Sequence, residues 1–200
     1  MSGSNTMEVR AYSLGLAVIR VCWIIFIIAW SLGVAWSKRT IYRESSAERA
    51  GYWPVLIIGY FLVIKSSVLS PPFNWLVVPH KTSSSWCGVF LCVSGLLFAI
   101  WARLKLGRNW SGLITLKEGH ELIERGPYRF VRHPIYTGIL AMLAGTAIAL
   151  GYFGGFIGFL LVFVSFWVKL KREEDLMLEH FPAKYAAYQR RVKRIIPFLV

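Results

Sequence analysis

Long runs of apolar residues constrain this chain more than any other feature. Residues 11–36 are almost unbroken in their hydrophobicity, with Arg20 the only charge. Residues 52–69 form a second run, interrupted by Lys65, and 86–101 a third. Residues 136–150 and 152–168 form a fourth and fifth, parted by little more than Gly151. A helix needs about 20 residues to cross the hydrocarbon core of a bilayer. The first, second and fifth runs reach or approach that length, and the third and fourth reach it with flanking residues. The expected fold is therefore all-α: residues 1–200 as one polytopic membrane domain with five transmembrane helices. Composition agrees, since 56% of the residues are hydrophobic and 16% charged, more apolar than an ordinary soluble domain. The first run is too long for the core of a cleaved leader, and Ser37-Lys38-Arg39 behind it reads as a stop-transfer flank.

The formal net charge is +13, and its placement matters more than its size. Segments 37–50, 103–135 and 169–200 carry 4, 7 and 8 Lys or Arg, 19 of the 23 in the chain. If five helices alternate, all three segments lie on one side. Arg10 and Lys81 fall on the other, with Arg20 and Lys65 inside spans and able to snorkel. This positive-inside distribution puts the N-terminus outside and the C-terminus in the cytoplasm. The basic charge thus faces an anionic leaflet. It does not imply nucleic acid, and no protein partner is required by any motif.

Cys22, Cys87 and Cys92 lie in or beside apolar runs, in no metal-ligand spacing, and read as packing residues. Gly151, Gly154, Gly155 and Gly158 follow no strand. They suit close helix packing better than a nucleotide loop. The chain has no Ser-His-Asp order, no metal-binding box and no dinucleotide fingerprint, so hydrolysis and metal chemistry have no support.

Two cytoplasmic pieces carry more information. Segment 103–135 has apolar positions at Leu106, Trp110, Leu113, Leu116, Leu122 and Ile123. The tail from 169 continues the fifth span as a helix, with Leu176, Met177, Phe181 and Tyr185 at helical spacing. Pro182 is expected to break that helix in two. Both pieces read as amphipathic elements flanking a tight hairpin, 136–168. Its cytoplasmic ends are neighbours, which brings residues 126–136 next to 169–174. A polar site roofed by segment 103–135 and the tail follows from that topology.

Pro134 suits the first turn of the fourth span, because no backbone donor is needed there. His133 then stands near the N-cap, where free N–H groups and the helix dipole favour an anion such as a carboxylate. In a blander reading His133 merely caps the helix, Arg129 and Arg132 reach for headgroups, and Tyr128 and Tyr136 belong to an interfacial belt. Across the hairpin, Lys169 and Glu173 share a face at i, i+4. Asp175 and Glu179 read as an ordinary solvated face. Glu173 does not, because the topology points it at residues 126–136.

The stretch HELIERGPYRFVRHPIYTG, followed after the hairpin by KREEDLMLEHFPAKYAAYQRRVKRIIP, resembles the isoprenylcysteine carboxyl methyltransferase family and its prokaryotic relatives. The resemblance covers roughly the last hundred residues, with every element in order, and does not extend to the first two spans. It implies a membrane methyltransferase that uses S-adenosylmethionine. By resemblance, the cofactor is held by His120, Glu121, Leu122 and Ile123, by Tyr128, and by His133, Pro134, Ile135 and Tyr136, with Glu173 closing the site. A basic residue four positions before that glutamate faces the acceptor carboxylate. Eukaryotic members have Arg there, and this chain has Lys169, which lacks the planar bidentate fork of Arg. Arg191 matches the arginine of the family's tail and is a second candidate to anchor an acid.

That chemistry suits these residues. A carboxylate acceptor is already ionised at pH 7, so methyl transfer to it needs no general base, only positioning, which contributes roughly 7–11 kcal/mol. The donor enters from the cytoplasm, and a lipidic acceptor such as a prenylated cysteine enters from the bilayer. Two other readings share the region. Phospholipid N-methylation uses the same donor but wants a base for its amine. NADPH-dependent sterol-type reductases have a similar Arg-His-Pro stretch, but with Asn where this chain has Ile135 and Asp where it has Ile139.

Overall fold

The computed structural model describes residues 2–35, 39–119 and 121–196. The apolar runs are helices: α1 Ser2–Ala35, α3 Trp53–Lys65, α4 Thr82–Leu106, α5 Pro134–Leu150 and α6 Phe153–His180. A short helix, α2 Ser46–Ala50, precedes α3, and α7 Pro182–Arg191 follows α6. Among the described residues, four stretches are long and apolar enough to span a bilayer: Thr6–Gly33, Ser46–Val68, Thr82–Asn109 and Phe153–His180. The fifth helix falls short of that length. With 17 residues, α5 is about 25 Å long at 1.5 Å per residue, against roughly 30 Å of hydrocarbon.

Close backbone approach sets the packing. A Cβ at Gly95 on α4 would stand 2.5 Å from the carbonyl oxygen of Gly138 on α5, and Gly88 meets Gly145 one heptad further along. Two small-residue stripes with a seven-residue period thus face each other, the geometry that lets membrane helices associate without a solvent-driven force. Gly158 on α6 meets Gly59 on α3 in the same way. Gly154 abuts Phe73 and Ser66. Gly151 is different from its neighbours, because it lies outside both helices and closes α5 in the left-handed conformation at φ 76°. Cys22 and Cys92 are buried where α1 packs on α4, whereas Cys87 is exposed.

The helices run between two distinct ends. At one, Tyr12 Oη donates to Ala149 O at 2.9 Å, and the backbone of Trp75–Val78 pairs with that of Gly151 and Phe153. At the other, all three basic segments meet. Here the all-α expectation needs correcting, because Thr40–Arg43 (β1) and Thr115–Lys117 (β2) form a two-stranded antiparallel sheet. Both strands are rich in β-branched and long side chains and lack Gly and Pro. Nor is segment 103–135 an amphipathic element. After α4 ends at Gly107, φ 57°, it is two 3₁₀ turns, Gly107–Asn109 and Gly126–Arg129, with β2 between them. Repeated Gly and Pro residues prevent a longer helix.

The tail follows expectation more closely. α6 continues to His180, and Pro182 opens α7 at its first turn, since its ring cannot continue the α6 ladder. Met177, Tyr185 and Tyr188 are buried together, with Leu122 and Phe181 against them. Beyond α7 the chain turns back and runs alongside the start of α5. Arg132 N donates to Lys193 O at 2.8 Å, His133 N to Arg194 O at 3.0 Å, and Thr137 Oγ1 to Ile195 O at 2.7 Å.

Candidate active site

A cavity of about 340 Å³ lies at the basic end, between α1, α3, α5, α6 and the irregular segment. It is lined by Glu121, Leu122, Ile123, Tyr128, His133, Pro134, Ile135, Tyr136, Lys169 and Glu173. Residues from four separate stretches of sequence thus converge on one space. His120 lies outside the described residues. Arg191 is elsewhere, exposed, in an ion pair with Glu124 at 2.5 Å.

The hairpin builds one wall. Tyr136 leaves the first turn of α5 and its hydroxyl donates to Glu173 Oε2 at 3.1 Å, while its ring lies edge-on to Phe166 at 4.8 Å. Lys169, one turn before Glu173, is buried and donates from Nζ to Gly112 O at 2.7 Å. That uses one of three ammonium donors. The ammonium also lies 5.4 Å from the centre of the Tyr136 ring.

His133 does not cap α5 with its side chain. Its Nε2 meets Glu174 Oε1 at 3.0 Å. Arg132 Nε meets the same oxygen at 2.8 Å, and Arg194 Nη2 meets Oε2 at 2.6 Å. The carboxylate held near the start of α5 is thus the chain's own Glu174, which is only 2% exposed. Arg132 does not reach outward to headgroups, because its guanidinium also donates to Val192 O. Glu173 and Glu174 are adjacent, so they leave α6 about 100° apart; one faces the cavity and the other closes this cluster. Tyr128 is buried rather than interfacial. Tyr188 Oη donates to its carbonyl at 2.5 Å, and desolvation pushes both phenols above their ordinary range, so both stay protonated at neutral pH.

Two polar residues that sequence reasoning passed over also line the cavity. Asn109 Oδ1 and Thr115 Oγ1 are buried there without a hydrogen-bond partner. Buried polar atoms are rarely left so. Nothing in their sequence context distinguishes them, because the irregular segment that places them has no periodicity. Glu174 and Arg194 were missed for a different reason. A charged residue one position from another reads as solvated until tertiary contacts are known.

Comparison with known proteins shows the family. Protein-S-isoprenylcysteine O-methyltransferase B of Arabidopsis thaliana is 30% identical over 146 residues, covering 70% of this chain and 74% of that one. The chain belongs to the isoprenylcysteine carboxyl methyltransferase family. It is thus a membrane methyltransferase by family. The phospholipid methyltransferase family model matches residues 83–184. The Schizosaccharomyces pombe protein-S-isoprenylcysteine O-methyltransferase is 27% identical over 163 residues, with 74% and 67% coverage. Both alignments reach past the last hundred residues to which the motifs point. A solved structure of a eukaryotic intramembrane Ras methyltransferase matches with a TM-score of 0.54 at 23% identity, covering 80% of this chain and 55% of that one. This chain therefore spans a little over half the length of that protein, and the likeness is one of fold.

Proposed function

We propose that this methyltransferase transfers the methyl group of S-adenosylmethionine to the carboxylate of a lipidic acceptor, a prenylated cysteine or a close analogue. The observation that carries this reading is the convergence of Tyr136, Glu173 and Lys169 on one cavity at the membrane's basic face. A volume of about 340 Å³ falls within the roughly 300–1,000 Å³ usual for cofactor sites. The unpartnered oxygens of Asn109 and Thr115 fit the hydroxyl and amino donors of a nucleoside. Glu173 fits a cationic amino-acid moiety.

When bound, S-adenosylmethionine supplies a methyl group on a positively charged sulfur. Tyr128 and Tyr136 give the cavity apolar, electron-rich faces suited to a cation. The Glu174 cluster holds His133 and the first turn of α5 in place, so the cavity wall is ordered before any ligand arrives. Lys169 offers its two remaining donors to an acceptor carboxylate. One ammonium holds such a group as a point charge, with less control of its plane than a guanidinium fork. No residue is needed to remove a proton, since the acceptor is ionised. The cation beside the cavity favours an anionic acceptor over the amine of a phospholipid.

In this reading five helices cross the membrane, with α5 as the short fourth span, the N-terminus outside and the C-terminus cytoplasmic. The charge asymmetry between the two ends supports that orientation. Purified protein in detergent tests the activity. S-Adenosylhomocysteine should raise its melting temperature, and the wild type should methylate N-acetyl-S-farnesylcysteine. Glu173→Ala should lose both. Stabilisation by NADPH instead, without methyl transfer, would overturn the reading.

A further inference from the structure

Four of the chain's ten acidic residues line a single groove beside the cavity. This groove, of about 380 Å³, is bounded by Tyr42, Glu44, Glu48 and Ile114 on one side. On the other stand Arg172, Asp175, Leu176 and Glu179. The latter recur at i, i+3, i+4 and i+7 and form one face of α6. In a chain of net charge +13, such acids normally find a cation. Among the described residues, none of these four makes a direct ion pair, and Arg172 acts on Glu48 and Lys169 on Glu44 only at longer range. Arg172, the one cation in the groove, donates to the backbone oxygen of Glu48.

Glu44 is the second observation. It is only 4% exposed. Its Oε1 accepts from Tyr52 Oη at 2.7 Å and from Ile114 N at 3.1 Å. Its Oε2 is sealed from solvent with no hydrogen-bond partner, although Glu44 lines the groove. A buried carboxylate oxygen left this way is costly. A cation in the groove would compensate its charge through space, as Lys169 does from the cavity side.

The groove is also continuous with the site. Gly112, Leu113 and Thr115 line the cavity while Ile114 lines the groove. A single bend of chain separates them, and Gly112 O receives the Lys169 ammonium. An acceptor whose carboxylate lies at Lys169 therefore has the groove within a few residues of its other side.

We propose that this groove receives a lysine or arginine side chain of a peptidic methyl acceptor, a few residues before the methylated terminal residue. The inference rests on the carboxyl-methylation reading and narrows its substrate class from any lipidic acid to a basic, lipid-modified peptide. Exposed Asp175 and Glu179 act through solvent, so the attraction is screened by salt. The chain's excess positive charge opposes non-specific binding of such a peptide.

The test uses the full chain in neutral detergent and two dye-labelled, lipid-free peptide amides, one with three lysines and one with glutamines in their place. Fluorescence anisotropy at roughly 0.05 M salt should show the lysine peptide binding about tenfold more tightly. That advantage should vanish in D175N/E179Q and shrink in high salt. Equal binding of the two peptides, or an advantage unchanged in the variant, would overturn the proposal. Blocked amides cannot be methylated, so this result does not depend on turnover. Turnover of N-acetyl-S-farnesylcysteine, which carries no cation, is measured alongside. Equal rates for wild type and D175N/E179Q support a groove that serves only the peptide side. Loss of that turnover in the variant alone overturns it. Absence of turnover in both overturns the carboxyl-methylation reading, and with it the groove's role toward an acceptor.

Discussion

Neighbouring glutamates divide the work of the site. Glu174 meets Arg132, His133 and Arg194 with almost no exposure to solvent. Removing one member of such a cluster leaves buried charges uncompensated, at a cost of about 3–5 kcal/mol. Glu174→Gln should therefore lower the melting temperature sharply in the absence of any ligand. Glu173→Gln should leave it nearly unchanged and abolish stabilisation by S-adenosylhomocysteine. Thr115→Val makes the complementary case. Its hydroxyl has no partner, so the ligand-free protein should hold its melting temperature, while S-adenosylhomocysteine should bind more weakly by about 1 kcal/mol. Calorimetric titration reads that loss directly. Glu173 was legible in the sequence because the hairpin topology and the motif both pointed to it. Glu174 was not, since its ionic partners are 41 and 42 residues earlier and 20 later in the chain.

Among the elements, α5 depends most on its neighbours. With 17 residues it is shorter than each of the four stretches able to span a bilayer, and its N-terminus carries His133 to Tyr136 into the cavity. The Gly95–Gly138 approach leaves no room for a Cβ on either helix. Gly95→Val should force the helices apart, a form of overpacking worth about 1–3 kcal/mol. Because α5 also positions Tyr136, S-adenosylhomocysteine affinity should fall together with the melting temperature. Gly112→Ala lies outside the helix contacts, near only the Trp110 ring, and serves as a control in which stability is retained. The helices and the Pro182 break were readable from periodicity and from proline chemistry. The sheet and the 3₁₀ turns were not. Each strand has only three or four residues, too few for a period to register, and they pair across more than seventy residues of sequence.

At the scale of the molecule, the difference in charge between the two ends carries the proposed orientation. Exposed Ser83 lies at the end that holds the α5–α6 turn, and exposed Ser46 lies at the basic end. Cysteines introduced there in a background without Cys22, Cys87 and Cys92 should differ in intact cells. Ser83→Cys should react with an impermeant maleimide and Ser46→Cys should react only after permeabilisation; the reverse pattern would invert the proposed topology. What the sequence alone determined was the membrane class, the helix runs, where along the chain the basic charge gathers and ten of the residues that line the cavity. Hydrophobic length, charge counting and motif order are local properties, readable along a chain. Only the tertiary structure decided that Glu174 closes a buried ion cluster, which polar atoms are left unpartnered, and where four carboxylates gather in a basic chain. Those outcomes depend on which distant segments share a buried volume, and burial is what turns an ordinary side chain into a costly or useful one.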